Sequence, residues 1–163
     1  MRLAWITALV LAADQITKWL AVRQLLDQPA VELLPFLDLV LVYNTGAAFG
    51  FLNDAGGWQN AFFVAVAVVV CAVIAVMLRR LGGRDPQARL ALWLILSGAI
   101  GNVIDRVRQG YVVDFVHVHY RAFDFPAFNV ADSAITIGAA LLILDSLGWS
   151  LVGRKAGEAN RAR

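Results

Sequence analysis

The sequence predicts a membrane protein, mainly α: four transmembrane helices, a small β-cradle on the extracytoplasmic side, and both termini in the cytoplasm. Three observations carry that expectation. Of 163 residues, 60% are hydrophobic and only 16% charged, against roughly 45–50% and about 25% in an ordinary soluble domain. The apolar residues fall in long unbroken runs rather than on alternating faces. The positive charges cluster as well: nine of the fourteen lysines and arginines are Arg2, the group Arg79, Arg80, Arg84 and Arg89, and the tail group Arg154, Lys155, Arg161 and Arg163. Cytoplasmic segments carry such an excess, so the N-terminus, the middle loop and the tail are assigned to that side. A net charge of +2 is too small to suggest nucleic acid.

The chain reads as one membrane domain over 1–163, with spans at about 3–26, 58–78, 90–107 and 130–151, each near the roughly 20 residues that cross the hydrocarbon. Outward segments occupy about 27–57 and 108–129, and a basic tail 152–163. The first run also resembles a cleaved signal peptide, since Arg2 precedes an apolar stretch ending at Ala12-Ala13. Leu11 at the −3 position and an apolar pattern continuing to Leu26 favour a span. Cys71, the single cysteine, excludes an internal disulfide and reads as packing within the second span. In the first outward segment, 37–43 is rich in Leu and Val and ends in Asn44-Thr45-Gly46, a strand followed by a turn, with Phe49-Gly50-Phe51 shortly after. In the second, 112–120 reads as a strand with Asp114, Val116, Val118 and Tyr120 on one face and Val113, Phe115, His117 and His119 on the other. Phe123-Asp124-Phe125-Pro126-Ala127-Phe128 is then expected to re-enter the membrane.

Ionisable groups within spans are functional candidates by default, so their depth matters. Asp14 and Lys18 are four residues apart on one helix face, about 16 and 22 Å from the inner edge at 1.5 Å per residue. Gly98, Asn102 and Arg106 form an i, i+4, i+8 line, with Asn102 about 18 Å from Leu90. Asp132 opens the fourth helix with Asn129 just before it, and Asp114 and Asn44 come from the outward segments. Polar groups from five segments therefore converge on the outer interface. Asp145 lies about 20 Å deeper than Asp132 and reads as interfacial at the cytoplasmic side. A structural reading also exists for each: an ion pair pinning helices for Asp14 and Lys18, snorkelling and interhelical bonds for Asn102 and Arg106, and close helix approach for Gly98 and Gly101.

The outer layer holds Asp14, Asp105, Asp114 and Asp132, and no serine or cysteine with the setting of a nucleophile. Ser133 with Lys18 would be a Ser/Lys dyad, but Lys18 is already matched to Asp14. His117 and His119 share a strand face as metal ligands do, yet Asp114 is on the other face and a third ligand is hard to name. Paired carboxylates remain, and these suit hydrolysis with no metal and no cofactor: two close acids do not both ionise easily, so one acts as base while the other holds a proton. Asp114 and Asp132 are the best pair.

Asp14-Gln15-Ile16-Thr17-Lys18, Asn44-Thr45-Gly46-Ala47-Ala48-Phe49-Gly50, Gly98-Ala99-Ile100-Gly101-Asn102-Val103-Ile104-Asp105-Arg106, Val113-Asp114-Phe115 and Phe128-Asn129-Val130-Ala131-Asp132-Ser133 resemble, in order and spacing, the motifs of the lipoprotein signal peptidase (signal peptidase II) family. The resemblance covers 14 to 133 and leaves only the basic tail outside it. It implies an aspartic endopeptidase of the bacterial cytoplasmic (inner) membrane, with its site at the outer, periplasmic face. Its partners would be membrane lipids and a prolipoprotein substrate, cut just before the diacylglyceryl cysteine. Asp114 and Asp132 would be catalytic, and Asp14, Lys18, Asn44, Gly98, Asn102, Arg106 and Asn129 would hold substrate and shape the site. A monomer is the expected state. The rivals are a small proton-coupled transporter, which needs polar groups at the midplane or along a path to both sides, and a scaffold binding a partner strand by edge addition, which leaves the aspartates without a role.

Overall fold

A computed structural model of the chain describes residues 3–46, 56–82 and 85–152. Phe49-Gly50-Phe51 and the basic tail beyond 152 lie outside the described residues. Four helices are present among those described: α1 (Ala4–Leu25), α2 (Trp58–Leu81), α3 (Pro86–Gln109) and α4 (Val130–Ser146). The first three are long and apolar enough to cross a membrane. On α2 the buried residues are Gln59 and Ile74, while Val66, Val68, Val69, Val73 and Val76 are exposed. An apolar surface that large has no aqueous explanation, and a lipid solvent accounts for it. Cys71 is free on the same helix.

Two span boundaries differ most from the expectation, by four and five residues. α3 begins at Pro86 rather than 90, because Asp85 caps it by accepting the Ala88 N–H at 3.0 Å and proline takes the first helical position. α4 stops at Ser146 instead of running to 151, which leaves 17 residues, or about 25 Å. Gly148, at φ 81°, turns the chain, and the buried Gln87 side chain captures the backbone from 149 to 152. Its amide donates to the carbonyls of Leu141 and Trp149, and its oxygen accepts the Leu151 and Val152 N–H groups.

α3 is the central helix, packed against α1, α2 and α4. It approaches α4 through glycine. A Cβ on Gly98 would run into the Ala131 carbonyl oxygen, and one on Gly138 would lie 2.7 Å from the Ala91 carbonyl oxygen.

The segments between α1 and α2 and between α3 and α4 form one antiparallel sheet in the order β1 (Val31–Leu34), β2 (Leu37–Asn44), β3 (Val112–Tyr120) and β4 (Phe123–Phe128). β2 and β3 form where the sequence places them. β1 is not legible in the sequence, being four residues enclosed by Pro29 and Pro35 and lacking alternation. The expected membrane re-entry at 123–128 is not what forms: that segment turns back at Arg121 (φ 55°) and pairs with β3 as an edge strand. Pro126, which cannot donate to a ladder, falls at the register irregularity between Phe125 and Phe128, where that is tolerated. Ala21, Leu25 and Phe115 form a buried cluster with Leu39, Leu41, Val116 and Val130 against it. It seats β2 and β3 on the C-terminal end of α1 and the N-terminal end of α4. With Phe115 turned to α1, strand alternation turns Asp114 the other way.

Candidate active site

The site grows from the buried pair in α1. Lys18 Nζ lies 2.9 Å from Asp14 Oδ2 and 2.9 Å from Asp105 Oδ2, and it donates to Asn102 Oδ1 at 3.0 Å. The predicted i, i+4 ion pair is present, joined by a third partner from α3. Gln15 bridges the two acids, at 3.1 Å to Asp14 and 2.9 Å to Asp105. Asp14 Oδ1 accepts the Ala131 N–H at 2.9 Å and Asp105 Oδ2 accepts the Val113 N–H at 3.3 Å. One buried charge cluster thus fixes both the first turn of α4 and the start of β3, the two places that carry Asp132 and Asp114. Only paired and hydrogen-bonded charges are stable in such a setting.

From there the network runs outward through amides. Asn102 Nδ2 donates to Asp132 Oδ1 at 2.7 Å. Asn129 caps α4, accepting the Asp132 N–H at 2.9 Å while its own N–H donates to Asp132 Oδ2 at 3.2 Å. That reciprocal capping box leaves the Asn129 amide free to donate to Asp114 Oδ1 at 2.7 Å. Asn44 Nδ2 donates to Asp114 Oδ2 at 3.0 Å. All four carboxylate oxygens of Asp114 and Asp132 are therefore gripped by N–H donors of the chain. Asp114 is 2% exposed and Asn129 1%.

Both aspartates face a cavity of about 680 Å³, lined on its polar side by Asn44, Asn102 and Arg106 and on its apolar side by Phe125, Phe128, Ile135 and Ile137. The other four residues of the expected substrate-binding set sit differently. Asp14, Lys18 and Asn129 are buried behind the lining, where they hold lining residues in place, and Gly98 is a contact between α3 and α4. Arg106, in the lining, is also bound by the chain itself. Its guanidinium donates to this chain's own Thr45 and Gly46 carbonyls, at 3.4 and 2.5 Å, and lies 4.8 Å over the Phe63 ring. It anchors the turn after Asn44, and with it a donor to Asp114. Asp105, legible in the sequence only as an outer-layer acid, turns out to hold Lys18 and the start of β3; its place at i+3 from Asn102 is the signal that points to it.

The alternatives fare differently. Ser133 donates to the Asn129 carbonyl at 2.9 Å and Lys18 is occupied by two carboxylates, so no Ser/Lys dyad forms between them. His117 and His119 do acquire a third neighbour, Asp38 of β2.

Burial pushes the Asp114 carboxyl up to about 6, with the nearby Asp132 charge adding to it and the Asn44 and Asn129 amides opposing it. A folded pKa above the ordinary 3.8 means that the folded state binds more protons across that window, so stability falls as pH rises through it. Above about 6 the ionised group is a standing cost, at most about 3 kcal/mol at roughly 1.4 kcal/mol per unit. Asp114→Asn is therefore expected to raise the thermal midpoint in detergent above about pH 6, by the equivalent of about 1–2 kcal/mol once one weakened hydrogen bond is subtracted. The gain should shrink toward pH 3.8; a gain independent of pH would contradict this.

Known proteins resemble this chain in sequence and in fold. The family described as Signal peptidase (SPase) II matches residues 6–148. A "Lipoprotein signal peptidase" of Acinetobacter baumannii (strain ATCC 17978) is 49% identical over 146 residues, covering 88% of this chain and 83% of that protein. One of Pseudomonas syringae pv. tomato is 50% identical over 143 residues, covering 86% and 83%. Among solved structures, a bacterial membrane enzyme determined by the in meso method at 2.3 Å superposes with a TM-score of 0.74 at 32% identity, covering 93% of each chain. With the fold, the motifs and these relatives in agreement, the chain belongs to the signal peptidase II family of membrane peptidases.

Proposed function

We propose that this protein is an aspartic endopeptidase that removes signal peptides from diacylglyceryl-modified prolipoproteins, cutting just before the lipidated cysteine at the outer face of a bacterial cytoplasmic membrane. The observation that carries this reading is the pair Asp114 and Asp132 in one cavity, every carboxylate oxygen held by an N–H of the chain. One ionised carboxylate takes a proton from water as the water oxygen attacks the scissile carbonyl. The other, protonated, donates to the carbonyl oxygen as the tetrahedral intermediate forms. Collapse of that intermediate breaks the C–N bond: the amine leaves with the proton taken from water, and as the carbonyl re-forms its oxygen returns the donated proton to the pair, which again holds one proton for the next water. Asp114, at about 6, keeps a protonated fraction near neutrality that an ordinary carboxylate lacks.

The cavity's two characters match a lipidated peptide: polar groups beside the aspartates for the backbone, and an aromatic and aliphatic wall toward the membrane for an apolar body. A transporter is not favoured, because the polar network lies at one end of the helices. Below it, the Ser97 hydroxyl donates to the Trp93 carbonyl and accepts from the Thr7 hydroxyl, both structural bonds. The test is incubation of the purified protein with a diacylglyceryl precursor peptide. Cleavage is expected on the N-terminal side of the cysteine, at a rate unaffected by chelator; cleavage elsewhere, or none, would overturn the reading.

Arg106 offers a finer test. Lysine keeps the charge but loses the planar fork that spans two carbonyls, so Arg106→Lys should loosen the Asn44 turn and lower turnover by one to two orders of magnitude, roughly 1–3 kcal/mol. Steady-state kinetics on the lipidated peptide would show it, and an unchanged rate would reduce Arg106 to a helix-end contact.

A further inference from the structure

The outward sheet carries a second cluster of chemistry-bearing side chains that the aspartate mechanism does not use. His117 and His119 are two apart on β3, which puts both rings on one face, the face opposite Asp114. Asp38 on β2 is the cross-strand partner of His117. Asp38 Oδ2 lies 3.0 Å from His119 Nε2 and 3.8 Å from His117 Nδ1. The imidazoles stack at 5.4 Å, and one ligand atom from each of the three residues falls within 4.8 Å of the others.

We propose that Asp38, His117 and His119 form a binding site for a divalent transition metal of the zinc class on the outer face of the sheet, separate from the aspartate pair. Bonds of about 2.1 Å to nitrogen and oxygen in a tetrahedron place neighbouring ligand atoms roughly 3.4 Å apart. The two measured separations from Asp38, 3.0 and 3.8 Å, straddle that spacing.

Two further features fit a metal better than a set of surface ion pairs. Asp124 Oδ1 lies 2.8 Å from His117 Nε2. A carboxylate offers no proton, so that contact takes an N–H on Nε2, and a neutral ring so held presents its lone pair on Nδ1, the atom facing Asp38. A carboxylate holding the far nitrogen of a ligating histidine is the usual outer support of a metal site. His119 Nε2, in turn, is sealed from solvent and makes no hydrogen bond, although Asp38 Oδ2 is close. An ion between them would satisfy that atom. Three protein ligands leave a fourth position for water, and the side chains of His117 and His119 are 22% and 33% exposed, which leaves it access. The ion would tie β2 to β3, with Asp124 bringing in β4. Its role is to brace the sheet on which Asp114 is carried, not to enter the reaction.

The test uses the full chain, without a histidine tag, purified in detergent, stripped with chelator and titrated with zinc chloride alone. One zinc ion per chain is expected, with a rise in thermal midpoint as zinc is added. Asp38→Asn and His119→Gln should each weaken binding by at least about 100-fold and abolish that rise, and Asp124→Asn should weaken it about 10-fold. The midpoints of these variants without zinc serve to show that they fold. Cobalt(II) should give the visible absorption of a four- or five-coordinate site in the parent protein, and His117→Gln should remove it. Absence of stoichiometric zinc binding, or binding that these substitutions leave unchanged, would overturn the proposal. Cleavage of the lipidated peptide should be the same with and without zinc, so failure here leaves the aspartate reading untouched.

Discussion

Asp114→Asn and Asp132→Asn are each expected to lower cleavage of a lipidated precursor by roughly three orders of magnitude, the middle of the range for loss of a positioned acid or base, while expression and folding persist. Each change removes a proton-transfer role and almost no volume. The hydrogen-bond frame is largely kept: an asparagine at 132 still offers one oxygen to Asn102, and one at 114 still offers one to Asn129 or Asn44. The network that fixes them, Lys18 with Asp14, Asp105 and Asn102, contacts neither substituted oxygen except through Asn102. If the two acids act as one unit, as proposed, the double variant should be no slower than either single one. Additive losses would mean independent roles, and residual activity above a few per cent in either single variant would remove that residue from the chemistry.

The second large effect concerns lipid. A precursor with a free cysteine thiol in place of the diacylglyceryl thioether is expected to be cut at least about 100-fold less efficiently in kcat/KM. The cavity wall formed by Phe125, Phe128, Ile135 and Ile137 gives an acyl chain an apolar bed adjoining the aspartates. On the proposed reading, lipid held there, together with a signal helix held in the bilayer, would bring the scissile bond to the carboxylates from two sides. That is a gain of proximity, not of reactivity. Competing free diacyl lipid should inhibit, whereas efficient cutting of the unlipidated peptide would leave the apolar wall without a function.

The parts of this arrangement that sequence alone discloses are those set by local rules. Long apolar runs place the helices, i, i+4 spacing pairs Asp14 with Lys18, and alternation separates Asp114 from His117 and His119. What it does not disclose depends on which elements meet. Lys18 serves Asp105 as well as Asp14 because α1 and α3 pack closely, a contact that no spacing within either helix encodes. Arg106 reads in the sequence as a residue that holds substrate and shapes the site, and its bonds to the carbonyls at 45 and 46, some 60 residues earlier, are not encoded by any local spacing. α4 ends early because a buried glutamine at 87 collects the backbone after Trp149. The third member of the histidine cluster is hidden for the same reason, since Asp38 reaches it only through the β2–β3 register.

The most direct test of the aspartate pair is the affinity of a lipidated peptide whose scissile amide is replaced by a secondary alcohol, which keeps the tetrahedral centre and is not cut. If Asp114 and Asp132 grip the reacting carbon's oxygen, this compound should bind the parent protein at least about 100-fold more tightly than the matching non-cleavable ground-state peptide. That margin should disappear in Asp114→Asn and in Asp132→Asn, while the ground-state peptide binds all three proteins alike. A margin that survives in either variant would show that the tetrahedral centre is held by something other than these two carboxylates.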